Sequence, residues 1–575
     1  MSQKSKSLSS KTTTTISLLA LMRIVVTIFS VLSIFVLAKL LTPEDFGLVA
    51  MASILAVALQ QALQIPVNQV LILIDEPRRE DFNTAFTLNV IRGLIMFLLL
   101  VGSAYPMSIF YGESEVTYLA LAFSIPLLLS GFENPTLIML EKELQVKKIV
   151  FMNIFAQLVG ILTSIYLAWL TQSYWAMVWG NIANQIVRLV MTYSLRPYLP
   201  GFSLSTWRSM MSFSVWLTFS KVLLTLTEKL DQILIGKLFG SASLGHFNIG
   251  NEIARRPTLE FAGVLNRGLF PAFSQLKHER QRLLSAYNYS IGYCAAFAIP
   301  LGMGLTILAE PFVLLFLGQQ WSDAIIVVQV LAAAVAFSTI DGPTRAILMA
   351  KGKTKLIFRR DVFFALTKTL LVILGVIYFG ILGILIGIAI GRIIVILINW
   401  FVMNEVFEVS FAHQIRLVIR PVLSSFIMAC VLGFALNSIE VSEALSFNQW
   451  LFTLAELLIH VIIGALVYVF SHFTLWIIMR KPYGPEEKLL KVRGKNAASL
   501  KPFARSYQVE LASIEEISKG AIYMEEALTY LDKPYIIINS VEFSKDEDMW
   551  VINAEIFEKV YEHKPEENKE DKKKR

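Results

Sequence analysis

Along the first 479 positions, apolar residues recur in runs of about twenty, each closed by a short polar stretch. A run of that length is what an α-helix needs to cross the hydrocarbon core of a bilayer. Read in such blocks, the sequence predicts helices over 14–38, 46–73, 83–105, 116–140, 149–170, 174–195, 209–238, 244–270, 284–308, 323–349, 361–379, 381–403, 416–437 and 451–478. That makes about fourteen transmembrane helices, the narrowest division being Phe379-Gly380 between the eleventh and the twelfth. No small-residue cleavage site follows the first run, which predicts a retained anchor.

Composition agrees: 55% of the 575 residues are hydrophobic and 17% charged, where a soluble protein carries about 25% charge. Two cysteines cannot staple a secreted scaffold, and 12% aromatic residues exclude a disordered chain. Residues 1–479 hold 33 Lys/Arg and 25 Asp/Glu, whereas the last 96 residues hold 18 and 19. The first part is an all-α polytopic membrane protein and the second is soluble. Basic residues mark alternate loops: Arg78 and Arg79, Lys142 to Lys148, Arg196 and Arg208, Lys277 to Arg282, Lys351 to Arg360, Arg416 and Arg420. The intervening loops carry Glu113 and Glu115, Glu310 and Asp323, Glu440 and Glu443. Short basic loops stay in the cytoplasm, so both termini are expected there. Topology thus accounts for the net charge of +7, and no nucleic-acid partner is expected.

The chain also repeats itself. A shift of 198 residues sets Leu37-Ala38-Lys39-Leu40 on Ile235-Gly236-Lys237-Leu238, Gly47 on Gly245, Asn68 on Asn266 and Arg23 on Lys221. A shift of 208 sets Glu133-Asn134-Pro135-Thr136 on Asp341-Gly342-Pro343-Thr344 and Lys147 on Lys355. The order of these matches predicts a duplicated six-helix unit. Six is even, so the two copies point the same way across the bilayer, a transporter architecture with its site between the repeats. The expected divisions are a first lobe over 1–205, a second over 206–403, two additional helices over 404–479, a basic linker over 480–507, a helix-hairpin module over 508–562 and a disordered charged end over 563–575.

The stretches LAKLLTPEDFGLVAMA (37–52), EKLDQILIGKLFGSASLGHFNIG (228–250) and LFPAFSQL (269–276) resemble the polysaccharide-transport branch of the multidrug/oligosaccharidyl-lipid/polysaccharide exporter superfamily, which includes the Wzx-type flippases. The resemblance covers residues 12–480 and leaves the tail uncovered. It implies two six-helix lobes around a cavity, two extra helices, and outward movement of a lipid-linked oligosaccharide. Its pattern is matched at Glu252, Pro257, Glu260, Asn266 and Arg267, whereas the Arg255-Arg256 pair departs from it.

A charge at mid-bilayer costs several kcal/mol, so each intramembrane charge is a functional candidate. Arg255, Arg256 and Pro257 lie about ten residues, or about 15 Å, into the eighth helix. Pro257 removes a helical hydrogen bond, which suits a cavity wall. Glu252, Arg256 and Glu260 stand four residues apart and pair along one face, leaving Arg255 as the better ligand. With Arg23 and Lys221 at matched repeat positions, and with Arg267, it forms the expected site for an anionic diphosphate, to which Arg offers a planar fork and Lys a point charge. Arg23 sits near a span end, where snorkelling is an equal reading. Arg92, Lys368 and Arg392 are read as snorkelling cations. Asp231, Glu228, Glu252 and Glu260 are the candidates for binding Na⁺ or a proton. For Asp231, an ion pair with Arg255 or Lys221 is an equal reading. Glu133, Pro135, Pro257, Asp341 and Pro343 read as hinge or gate positions.

Other patterns carry nothing. Gly352-Lys353-Thr354 lacks the earlier glycine of a phosphate loop, since position 347 is Ile. The six histidines are scattered without metal spacing, no nucleophile–base set occurs, and neither cofactor nor enzymatic activity is expected. Gly383, Gly387 and Gly391 form a small-residue packing stripe. In the tail, residues 480–505 carry eight Lys/Arg and suit anionic lipid headgroups. A helix over 508–532 and strands at Tyr535–Phe543 and Met549–Phe557 form a small α+β module that could meet other polysaccharide-synthesis proteins. The leading function is a secondary transporter flipping a polyprenyl-diphosphate-linked oligosaccharide. A drug exporter would take cations, which Arg23, Lys221 and Arg255 repel, and a polymerase or ligase needs a large outer loop, whereas no outer loop exceeds about fifteen residues.

Overall fold

In the computed structural model, the described residues are 26–63, 70–71, 74, 77–143, 145–207, 215–435 and 447–479. Among them every regular element is helical. The chain divides into the units Met1–Lys481 and Pro482–Arg575. The basic linker, the helix-hairpin module with its two strands, and the charged end lie outside the described residues, as does Arg23.

The helices are α1 (Val26–Leu40), α2 (Pro43–Ala62), α3 (Arg79–Tyr111), α4 (Glu115–Gly131), α5 (Ile138–Lys142), α6 (Val146–Thr171) and α7 (Trp175–Leu195). They continue as α8 (Val215–Gln275), α9 (Arg280–Ile307), α10 (Ala309–Phe316), α11 (Ser322–Ser338), α12 (Asp341–Ala350), α13 (Thr354–Phe407), α14 (Phe411–Ala435) and α15 (Phe447–Ile478). Among the described residues, eight helical stretches are long and apolar enough to cross a membrane. The outside of the bundle is apolar too: Leu162, Tyr166, Trp169, Leu366, Leu370, Phe452, Leu466 and Phe470 are each more than half exposed. Exposure at steps of three and four residues gives α6, α13 and α15 each a lipid-facing stripe. This is a multi-pass membrane protein.

Two of these helices are hairpins. In α8 the chain turns at Gly240 (φ 84°, ψ −179°), and in α13 at Gly380 (φ 59°, ψ −136°). Positive φ with an extended ψ is open almost only to glycine, which lacks the Cβ that would clash. The narrow division at Phe379-Gly380 is therefore a full reversal. Behind it, Gly383 lies so close to Gly375 that an added Cβ would stand 1.8 Å from the Gly375 carbonyl oxygen, and Gly387 packs on the backbone of Leu371. The small-residue stripe lets the two arms of α13 touch along their length.

A second close contact ties α2 to the second arm of α8. Thr42 caps α2: its hydroxyl accepts from the Asp45 amide (3.2 Å), its own amide donates to the Asp45 carboxylate (2.9 Å), and Pro43 opens the first turn. A Cβ on Gly47 would stand 1.8 Å from Ser241 O, and one on Gly245 would stand 1.9 Å from Pro43 O. The 198-residue shift exchanges these two contacts. Apolar residues of α2, α8 and α11, among them Met51, Ile54, Ile235, Leu244, Phe247 and Val327, form the core around the crossing.

Two expected spans are broken. Residues 116–140 divide at Phe132–Asn134 into α4, a 3-10 turn and α5, and residues 323–349 divide at Thr339-Ile340 into α11 and α12. Asn134 makes the first break, its side chain accepting from the Thr136 amide (3.0 Å) and donating to the Arg196 carbonyl (2.6 Å). Pro135 and Pro343 fall in the first turn after each break, where the missing N–H has no helical partner to lose. The expected loop after residue 308 contains α10 and the fully buried Trp321, whose indole donates to Ala38 O (2.9 Å). The last helix, α15, leans on α9 and α10: Tyr468 donates to Ala296 O (2.7 Å) and Trp450 to Leu315 O (3.3 Å).

Replacing Gly240 with Ala should lower stability by about 1–3 kcal/mol, the range for a residue forced into a glycine-only backbone region. Gly102→Ala, at a helical position with nothing within 4 Å of the new methyl, is the control. Thermal unfolding of the purified protein in detergent should shift downward for the first and not for the second.

Candidate functional site

The hairpins set the depth of the charges they carry. Glu228 and Glu252 stand twelve residues before and after Gly240, and Lys368 and Arg392 stand twelve before and after Gly380. At 1.5 Å per residue each lies about 18 Å from its turn, near the middle of a hydrocarbon core about 30 Å thick. Four charges from four helical arms therefore share one level.

They do not stand alone there. The Lys368 ammonium donates to Asp231 (2.6 Å) and to Thr227 O (3.0 Å), and both side chains are almost fully buried. A Cβ on Gly391 would stand 3.1 Å from Lys368 Cγ, so the bare glycine leaves room for the lysine stem. Arg256 and Glu252 pair at 2.8 Å along their own helix, as the four-residue spacing predicts. Arg255 and Arg392 approach the same oxygen of Glu228, at 3.7 and 3.9 Å. Lys229 donates to Gln232 (2.9 Å), which donates to Asn248 (3.2 Å) across the α8 hairpin. Among the described side chains of this group, Lys229, Arg255, Arg256, Lys368 and Arg392 face Glu228, Asp231 and Glu252, an excess of two positive charges. Glu228, Glu252, Arg255 and Arg256 keep between 28% and 44% of their side-chain surface exposed. A charge at that depth cannot face lipid, so this exposure opens on water.

The remaining candidates lie elsewhere. Lys221 is exposed and stands nineteen residues from Gly240, about 28 Å along the arm, near the opposite mouth of the bundle instead of its middle. Pro257 is exposed, two residues beyond Arg255. Glu133 pairs with Arg188 (2.9 Å) and accepts from Gln185 (3.0 Å). Asp341 accepts from Arg360 (2.7 Å) and Asn399 (2.5 Å). Arg360 also grips Asp361 (2.7 Å), which in turn holds Arg345 (3.0 Å) and the hydroxyl of Ser220. Both repeat-matched acids are thus anchored at a helix break to a later helix, Glu133 to α7 and Asp341 to the second arm of α13. The side chains of Glu260, Asn266 and Arg267 lie outside the described residues.

Two sequence expectations change. Asp231 pairs with Lys368, and neither Arg255 nor Lys221 is its partner. Lys368 and Arg392 do not snorkel: Lys368 is 2% exposed, and the Arg392 side chain retains 20%. Snorkelling needs a span end within reach of the side chain, and twelve residues of helix exceed that reach. Their equal distance from Gly380 was the signal available in the sequence.

Residues 36–326 match the family model described as polysaccharide biosynthesis protein. The chain belongs to this family. Within its wider kin it is 25% identical to the succinoglycan biosynthesis transport protein ExoT of Rhizobium meliloti, over 70% of this chain and 82% of ExoT. It is 23% identical to the teichuronic acid biosynthesis protein TuaB of Bacillus subtilis, over 77% and 92%, and 23% identical to the lipopolysaccharide biosynthesis protein WzxC of Escherichia coli, over 64% and 76%. Among solved structures, the lipid II flippase MurJ in an inward closed conformation superposes with a TM-score of 0.60 at 17% identity, covering 80% of this chain and 99% of MurJ. A multidrug resistance MATE family transporter of the MOP superfamily, facing inward, gives 0.51 at 14% identity, covering 67% and 94%. This polysaccharide biosynthesis protein shares their fold.

Breaking the buried Asp231–Lys368 pair from one side should destabilise the protein by about 3–5 kcal/mol, because the other charge is left alone in a dry site. Asp231→Asn and Lys368→Met should each lower the unfolding temperature, and the double variant should recover most of the loss. Unfolding of the three variants in matched nanodiscs measures this coupling.

Proposed function

We propose that this protein is a secondary transporter that flips a polyprenyl-diphosphate-linked oligosaccharide, a polysaccharide repeat unit, from the cytoplasmic to the outer leaflet of a bacterial inner membrane. The observation that carries the reading is the excess of two positive charges among the described side chains at mid-membrane, where Glu228, Glu252, Arg255 and Arg256 stay partly exposed. A diphosphate joined to a lipid at one end and a sugar at the other bears two ionised phosphates, one for each uncompensated cation. Family membership and the relatives' roles in succinoglycan transport and lipopolysaccharide biosynthesis support the same reading. A cationic drug would be repelled from this level, which weighs against a multidrug exporter despite the likeness in fold.

In this proposal about fourteen helices form two parallel six-helix lobes, over 1–205 and 206–403, with two further helices over 404–479 and both termini in the cytoplasm. The reciprocal Gly47–Ser241 and Gly245–Pro43 contacts support a pseudo-twofold axis between the lobes. Lys221 and Arg23 receive the head group at the cytoplasmic mouth, and Arg255, with Arg267, holds it at mid-depth. The anchored breaks at Glu133-Pro135 and Asp341-Pro343, together with Pro257, let the lobes rock. Transport couples to a Na⁺ or H⁺ gradient. Asp231 already holds an ammonium, so the candidates for the ion are Glu260, Glu228 and Glu252, the last of which must give up its contact with Arg256. The basic linker lies on anionic lipids, and the tail module meets other polysaccharide-synthesis proteins.

Lys221→Gln should lower the affinity of reconstituted vesicles for the lipid-linked oligosaccharide by roughly ten- to hundredfold, the loss of one charge-assisted contact of about 1.5–3 kcal/mol. Lys221→Arg should retain most transport at matched membrane abundance. Equal behaviour of Lys221→Met and Lys221→Arg would assign the side chain to snorkelling and remove it from the site. A strain lacking the protein should accumulate its lipid-linked oligosaccharide in the inner leaflet, and identification of that lipid names the substrate.

A further inference from the structure

Glu228 differs from every other charged partner at its level. The Lys368–Asp231 pair closes at 2.6 Å and the Arg256–Glu252 pair at 2.8 Å, while Glu228 meets Arg255 and Arg392 only at 3.7 and 3.9 Å. Both distances exceed hydrogen-bond reach, about 2.7–3.2 Å for a nitrogen donor. One carboxylate therefore serves two guanidiniums and satisfies neither. Arg392 keeps a buried Nε without a hydrogen-bond partner, while its Nη2 points toward Glu228. The Glu228 side chain keeps 44% of its surface exposed, and Lys368 and Lys229 add their fields to those of the two arginines. The arginines come from different hairpins, Arg255 from the second arm of α8 and Arg392 from the second arm of α13, yet both reach the same oxygen atom.

We propose that Glu228 is the resident anion of an exchange site for a diphosphate. With no substrate present, its carboxylate neutralises part of the Arg255–Arg392 charge. An arriving diphosphate displaces it, because two linked phosphates offer each guanidinium the bidentate contact that a single distant carboxylate does not. The return of Glu228 to the arginines then helps the product leave. The inference rests on the flippase reading, adds Arg392 to the binding residues, and gives Glu228 a release role in place of ion coupling.

The test uses the full-length protein in nanodiscs and inorganic pyrophosphate as the probe, with affinity read by calorimetry. Glu228→Gln should bind pyrophosphate about tenfold more tightly, since the competing charge is gone, and Arg392→Gln about tenfold more weakly, each roughly one charge-assisted contact. In vesicles carrying the lipid-linked oligosaccharide, Glu228→Gln should lower both the half-saturating concentration and the maximal rate, as expected when release becomes slow. Weaker or unchanged pyrophosphate binding by Glu228→Gln overturns the proposal, because a carboxylate that merely orients the arginines gives that result. If Glu228→Gln does not fold, Arg392→Gln decides: unchanged affinity in the folded variant overturns the exchange site. Flipping by a wild-type protein that fails to bind pyrophosphate sinks the exchange site and leaves the flippase standing. Pyrophosphate binding with the expected variant pattern, but without flipping, sinks the flippase and leaves the site.

Discussion

Charge cannot be left alone in the middle of a bilayer, and that constraint organises the protein. At about 18 Å from a turn, a lysine or arginine has no interface within reach, so the chain must bring it a partner or open a path for water. It does both. The hairpins at Gly240 and Gly380 fold four helical arms back on themselves so that residues equally distant from each turn meet at one level. Lys368 receives Asp231 there in a dry contact, while Glu228, Arg255 and Arg392 are left loosely joined where water reaches them.

The contrast between closed and open networks separates framework from site. Around Arg360 the donors and acceptors match: Asp361, Asp341 and Asn399 take up its guanidinium, and Arg345 and Ser220 complete the Asp361 carboxylate. A network so completed rigidifies what it joins, here both arms of α13, α12 and the first arm of α8. The Glu228 group has the opposite property. Among the described side chains its positive charge exceeds its negative charge and its contacts are long, the two properties on which the proposed anion site rests.

Small residues make the second half of the design. In a membrane, helix association depends on packing and hydrogen bonding more than on exclusion of water. Glycines at 47, 245, 375 and 383 bring backbones together where any side chain would hold them apart. The helix breaks near Asn134 and Asp341 obey the same economy of polar groups. Each break is tied to a neighbouring helix: the Asn134 side chain donates to the Thr192 and Arg196 carbonyls, and Asp341 accepts from the Arg360 and Asn399 side chains.

Much of this was legible in the sequence because its causes are local. Apolar runs follow from the thickness of the bilayer, the reversal near Phe379-Gly380 from a glycine between two spans, and the Arg256–Glu252 pair from a spacing of four. The breaks at Phe132–Asn134 and Thr339-Ile340 were hidden inside continuous apolar runs, because hydropathy reports burial and not backbone direction. The partners of long-range charges were hidden as well. Asp231 and Lys368 lie 137 positions apart, and nothing local distinguishes a lysine that snorkels from one that crosses to another hairpin. Sequence determined which residues are charged at depth, and only the tertiary structure decided which of those charges neutralise one another and which remain open to a ligand. The physical reason is that pairing depends on how two hairpins pack, which their small-residue surfaces permit but do not spell out.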